Sequence, residues 1–180
     1  MDPEGSRLTD PGLVLALLPL ADDRVVADIG CGPSYFAVPL ALRLRRGKLY
    51  AFDVQEPMLE AARKTIATAA LSNVEVQTCS EMELPLPDES LDCAFLAFSF
   101  HEVHGRLEDC AAMIRNRLKP GGSMAVIERK KEPVDEGPPL EDRLSESDVT
   151  SAAQAAGLMV TEVADLNEKQ YFVLLTKPAG

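Results

Sequence analysis

Read from the amino terminus, the chain alternates short, almost continuous apolar runs with longer stretches whose apolar residues recur every three or four positions. Arg24–Ile29, Lys48–Asp53, Asn73–Thr78, Leu91–Phe98 and Ser123–Glu128 have the run pattern, that of strands covered on both faces. Helical patterns lie between them. Pro33–Arg46 is stopped by Gly47; Pro33 suits its first turn, and Pro39 is expected to remove one hydrogen bond and bend it. Pro57 opens a helix in which Met58/Leu59, Ala62, Ile66 and Ala69/Ala70 share a face. Leu107, Cys110/Ala111, Ile114 and Leu118 mark another, ended by Lys119-Pro120-Gly121-Gly122. Lys130–Leu144 reads as a charged, proline-rich connector, after which Ser145 and Asp148 form a capping-box signature for a last helix. Two closing strands, about Leu158–Ala164 and Lys169–Thr176, flank Asp165-Leu166-Asn167 and read as a hairpin. Near the start, Asp10 or Thr9 is expected to cap a short helix over Leu13–Leu18.

Five strands separated by helices imply parallel βαβ units, and the hairpin adds strands of which one runs antiparallel to its neighbour. The expected class is therefore α/β: a doubly wound, Rossmann-like, seven-stranded sheet, mostly parallel, with a C-terminal antiparallel hairpin. One domain is expected over residues 1–180, with 1–22 as an N-terminal extension and helix. Charge narrows the partners. With 18 Lys+Arg against 29 Asp+Glu the chain carries a formal −11, which argues against a nucleic-acid partner. Leu13–Ala21 is too short to span a bilayer and is broken by Pro19, so neither a signal peptide nor membrane insertion is expected. None of the four cysteines, Cys31, Cys79, Cys93 and Cys110, forms a C-x-x-C pair. They read as reduced thiols, with no metal site, which points to the cytoplasm.

In such a sheet, ligands bind at the carboxyl ends of the strands. That directs attention to the loops after Ile29, Asp53, Thr78, Phe98 and Glu128. The first is Asp28-Ile29-Gly30-Cys31-Gly32-Pro33-Ser34, where two glycines let the backbone turn tightly and approach a ligand. A dinucleotide fingerprint would place its third glycine at Tyr35, where the ring would obstruct a pyrophosphate. Asp28 suits a ligand carrying a positive group better than a phosphate. Asp53 ends the second strand 25 positions beyond Asp28, where a carboxylate can accept from both hydroxyls of a ribose.

These segments resemble the class I S-adenosylmethionine (SAM)-dependent methyltransferases. Val25–Pro33 is similar to their first motif and Tyr50–Leu59 to their second. Leu84–Asp92 resembles the segment entering strand four, and Leu118–Gly122 the turn before strand five. The nearest flavour is the group containing ubiquinone/menaquinone C-methyltransferases and arsenite methyltransferases. The resemblance implies SAM as cofactor, with S-adenosylhomocysteine as product. It implies that Asp28, Gly30, Cys31 and Gly32 line the methionine end, and that Asp53 holds the ribose. Val54 and Met58 would pack on the adenine, Ser80, Glu81 and Met82 would border it, and Ala97 would lie beneath the methionine. The sequence departs from the family pattern at Ser34, the usual third glycine, and at Ser80, often an aspartate.

A sulfonium methyl group is already activated, so transfer needs mainly alignment, and a base only where the acceptor loses a proton. Within Phe98-Ser99-Phe100-His101-Glu102-Val103-His104, His101 is the candidate base, with Glu102 beside it. His104 could share a face with His101, but two histidines without a third ligand do not argue for zinc. Nothing here resembles an Asn/Asp-Pro-Pro-Tyr motif for amide or adenine methylation, nor an aspartate cluster for a magnesium-held catechol. The expected activity is methyl transfer to a small-molecule acceptor. A non-catalytic SAM-binding or partner-binding module on the same fold is the alternative, and the N-terminal helix is a candidate homodimer surface.

Overall fold

The computed structural model describes residues 9–103, 106–133 and 137–180. Seven strands form one sheet in the order β3-β2-β1-β4-β5-β7-β6. They are β1 (Val25–Ile29), β2 (Lys48–Asp53), β3 (Val74–Thr78), β4 (Leu91–Ala97), β5 (Leu118–Arg129), β6 (Met159–Asn167) and β7 (Gln170–Thr176). The pairs β1/β2, β2/β3, β1/β4 and β4/β5 are parallel. β7 runs antiparallel to both β5 and β6, between which it is inserted.

Side-chain alternation sends each strand's apolar residues to two separate cores. Helices α1 (Pro11–Leu17), α2 (Ala37–Arg43) and α3 (Glu56–Thr68) contribute Val14, Leu40 and Ile66 to one, against Val26, Leu49, Phe95 and Ile127. Helices α4 (Leu107–Arg117) and α5 (Glu146–Ala155) contribute Ile114 and Val149 to the other, against Ala27, Phe52, Leu96 and Val126. The chain moves outward from β1 to β3 and then restarts on the other side of β1 with β4. The helices that follow β1 and β4 therefore cover opposite faces of the sheet, and a crevice opens at the strand ends between them.

Local capping follows the sequence. Asp10 caps α1, its Oδ1 accepting from the Gly12 amide at 2.8 Å. Ser145 and Asp148 form the expected capping box on α5. Four expectations are corrected. The second helix starts at Ala37, not Pro33, because Gly30, Gly32 and Ser34 all have left-handed backbone (φ of 76°, 50° and 74°) that no right-handed helix can contain. Pro39 then falls in the first turn, where its missing N–H had no helical partner to lose. The fifth strand starts at Leu118, not Ser123. Lys119–Gly122 bulges between the pairs Leu91/Leu118 and Cys93/Ser123, and Gly121 and Gly122 exchange backbone hydrogen bonds with Lys177. The hairpin turn is Glu168-Lys169, beyond the expected Asp165–Asn167, and the Asn167 side chain accepts from the Lys169 amide at 2.8 Å.

Candidate active site

The glycine turn is held from below and from the side. The amides of Gly30 and Cys31 both donate to the Phe52 carbonyl, at 2.8 and 2.9 Å. Asp53 grips the next stretch, its two oxygens accepting from the amides of Gly32 and Gln55, each at 2.9 Å. At Gly30 a Cβ would lie 2.4 Å from the Cβ of Ser99, so only glycine lets the loops after β1 and β4 meet. Ser99 completes that junction by donating to the Ile29 carbonyl at 2.7 Å. At Gly32 a Cβ would touch nothing within 4 Å, so the missing side chain leaves open space above the turn.

Behind the turn sits Asp28, 2% exposed. Its Oδ2 is buried and has no hydrogen-bond partner. Burial, and then the charge of Asp53, push its pKa up to about 7. A buried carboxylate left in this state is costly unless a cation meets it.

In front, a cleft is walled by Ile29, Gly30, Asp53, Val54, Cys79, Ser80, Glu81, Leu96, Ser99, Glu102, Val103, Cys110 and Met113. A shallower extension adds Met82 and Arg106, the latter ion-paired with Glu81 at 2.9 Å. Burial raises the thiols of Cys79 and Cys110 to about 11 and about 12, so both line the cleft as neutral, weakly polar groups.

The structure thus brings together at the cleft Gly30, Asp53, Val54, Ser80, Glu81 and Glu102, with Met82 at its outer edge. Asp28 and Cys31 are buried at the turn. Met58 is half-buried on α3 outside the cleft wall, and Ala97 packs on the opposite core, leaving Leu96 to face the cleft. His101 lies in a single 3₁₀ turn, Phe100–Val103, directly beyond Ser99. Its Nδ1 is 3.1 and 3.0 Å from the two carboxylate oxygens of Glu128, and its backbone N–H donates to Glu128 Oε1 at 3.1 Å. Burial lowers the imidazole pKa, but the Glu128 hydrogen bond and charge, with Glu102 and Asp142, more than offset it, and the net shift is upward. His104 lies outside the described residues.

Sequence reasoning missed Glu128. Its one signal was an acid closing the otherwise apolar run Met124–Ile127. It also missed Ser99, Cys79, Cys110 and Met113, which only chain crossing brings to one cleft.

SAM fits these residues. A cationic amino group would answer the unpartnered oxygen of Asp28, the open face of Gly32 would admit it, and Asp53 retains acceptor capacity for hydroxyls. The apolar wall of Val54, Cys79 and Met113 suits a planar base.

A doubly wound sheet with an acidic, glycine-turned β1 end and an acidic β2 end is the framework of an α/β protein that binds an adenosine-containing ligand. Comparison with known proteins agrees. Residues 26–122 match the methyltransferase-domain family. A demethylmenaquinone methyltransferase of Listeria monocytogenes is 34% identical over 104 residues, 57% of this chain and 44% of that protein. The chain therefore spans less than half the length of the curated relatives it matches. A SAM-dependent methyltransferase from Aquifex aeolicus superposes with a TM-score of 0.90 at 34% identity, covering 97% of this chain and 93% of that one. The [4+2]-cyclase SpnF shares the fold, with a TM-score of 0.83 at 19% identity, covering 94% and 81%. The chain belongs to the class I SAM-dependent methyltransferases.

Proposed function

We propose that the chain transfers a methyl group from SAM to a small-molecule acceptor. The observation that carries this reading is the buried, unpartnered carboxylate oxygen of Asp28 behind a glycine turn pinned by Asp53. Asp28 takes the amino group, with Gly30, Cys31 and Gly32 around the methionine end and Leu96, rather than the expected Ala97, on the cleft wall there. Asp53 takes the ribose hydroxyls while keeping its two backbone bonds. Val54 flanks the adenine, Ser80, Glu81 and Met82 border it, and Met58, outside the cleft wall, backs the loop that carries Val54 only through α3. When bound, SAM supplies an electrophilic methyl group. The protein's part is to align the acceptor with it and exclude water. His101 serves as the base; it is not itself in the cleft wall, but its chain neighbours Ser99, Glu102 and Val103 are. The demethylmenaquinone and ubiquinone/menaquinone names of the relatives support a quinone-like acceptor.

Free cysteines suit a reducing compartment and support the cytoplasm as its working place. No described helix is long and apolar enough to cross a membrane. Exposed Leu13 on α1 supports a homodimer contact there.

Calorimetric titration with SAM, S-adenosylhomocysteine and NAD⁺ tests the reading. The two adenosyl ligands bind at micromolar Kd and NAD⁺ does not. Asp53→Ala weakens both by about a hundredfold, near 2.7 kcal/mol, because it removes the ribose contact and the hold on Gly32. Absence of adenosyl binding in the unaltered protein would overturn the proposal. The non-catalytic alternative draws support from Ser34, whose buried hydroxyl has no partner and whose φ of 74° is a conformation glycine would adopt freely. SAM binding without turnover on any acceptor would favour it.

A further inference from the structure

The strongest unassigned arrangement is the contact between His101 and Glu128. We propose that Glu128 is a positioning residue that holds His101 with its proton on Nδ1, leaving Nε2 as the proton-accepting atom of the acceptor site. The inference rests on the reading of His101 as base.

The geometry leaves little freedom. Both Glu128 oxygens lie within 3.1 Å of Nδ1, and one of them also accepts the backbone N–H of His101. Main chain and ring are thus tied to the same carboxylate, and rotation of the ring would break its contacts. An ionised carboxylate accepts but cannot donate, so Nδ1 must carry hydrogen. In the neutral ring the lone pair is then on Nε2. Glu128 is 2% exposed at the end of β5, where a carboxylate is retained only against a partner of this kind. The charged groups facing His101 are Glu128 from β5, Glu102 from its own turn and Asp142 from the connector before α5. All are acidic, so all favour the imidazolium once it forms.

Nε2 takes a proton from the acceptor, and the electron pair left behind forms the bond to the incoming methyl group. The methyl–sulfur bond would break with its electron pair left on sulfur, so the positive charge would pass from the donor to the imidazolium, beside Glu128. Such a pair has work only where the acceptor gives up a proton, as a phenol or an activated C–H does. A thioether or tertiary amine acceptor would not use it.

The chain has two histidines, so imidazole ¹⁵N spectra are simple, and His101→Gln identifies the His101 signals by their loss. The neutral ring is expected as the Nδ1–H tautomer, with a titration midpoint above that of free imidazole. Glu128→Gln lowers the midpoint by about one unit or more and abolishes the tautomer preference, while affinity for S-adenosylhomocysteine stays within about twofold. Neutral His101 as Nε2–H, or a midpoint unmoved by Glu128→Gln, overturns the proposal. If that variant fails to fold, the tautomer of the unaltered protein decides alone. Carbethoxylation of His101 by diethyl pyrocarbonate, read by mass spectrometry, tests the underlying assignment. S-adenosylhomocysteine is expected to slow it about fivefold or more if Nε2 faces the methyl end. An unprotected His101 with the Nδ1–H tautomer intact would overturn its role as base and, with it, the positioning role.

Discussion

Asp28 and Glu128 are each the next-to-last residue of their strand, each 2% exposed, and each at the end of the sheet where the cleft lies. They are nevertheless served differently. Glu128 receives two donors from His101, whereas one oxygen of Asp28 receives nothing. The difference separates two uses of a buried acid. A carboxylate that the protein satisfies itself is part of its own machinery, with its donors in place before any ligand arrives. One left unsatisfied stores a cost that a cationic ligand removes on binding, so it contributes selectivity as well as affinity.

The largest test of this comparison is at the junction between the two regions. Gly30→Ala places a Cβ 2.4 Å from Ser99 Cβ at a φ of 76°. It is expected to destabilise the protein by about 2–4 kcal/mol in denaturant melts. A loss below about 1 kcal/mol would mean that the loops after β1 and β4 are not locked together.

Asp28→Asn gives a smaller and more specific effect. The folded pKa of Asp28, about 7, lies above the ordinary aspartate value of 3.8, so the folded protein binds more protons between them. Stability attributable to this group therefore falls as pH rises from about 4 to about 7. The Asn variant removes that fall and is expected to be about 1–3 kcal/mol more stable than the parent at pH 8. Affinity for SAM shows the opposite trend. In the parent it rises about tenfold between about pH 6 and 8 as Asp28 ionises, and in the variant it is weaker and flat. Calorimetry and melts at the two pH values measure both. Parallel pH curves for parent and variant would show that Asp28 already has a partner.

Pro39→Ala, the smallest, touches neither carboxylate. Since Pro39 lies in the first turn of α2, stability is expected to change by no more than about 0.5 kcal/mol. A gain of about 3 kcal/mol would instead mark Pro39 as a true interior proline.

The strand-end turn proposed for the cofactor was far more legible than the surroundings of His101. Asp28, Gly30, Gly32 and Asp53 announce themselves because strand ends, tight turns and their spacing are local properties of the chain. Ala97 shows where local reading stops. The last strand residues point alternately to the two faces, and Phe98 breaks the strand with a φ of 57°, so Leu96 and Ser99 reach the cleft while Ala97 packs behind. The start of α2 failed for a related reason: the left-handed turn extends through Ser34, a residue type that does not advertise that conformation. Glu128 was invisible as a partner because nothing near it in sequence names His101, 27 positions earlier.

What the sequence alone determined was therefore the alternation of strands and helices, the parallel sheet with its closing hairpin, and the tight glycine turn after β1. Those follow from periodicity and backbone sterics within a few residues. Tertiary structure alone decided that β7 inserts between β5 and β6, that Ser99 closes on Gly30, and that Glu128 is satisfied while Asp28 is not. Each depends on which strand ends become neighbours, and that is set by crossovers closing loops of tens of residues rather than by any local preference.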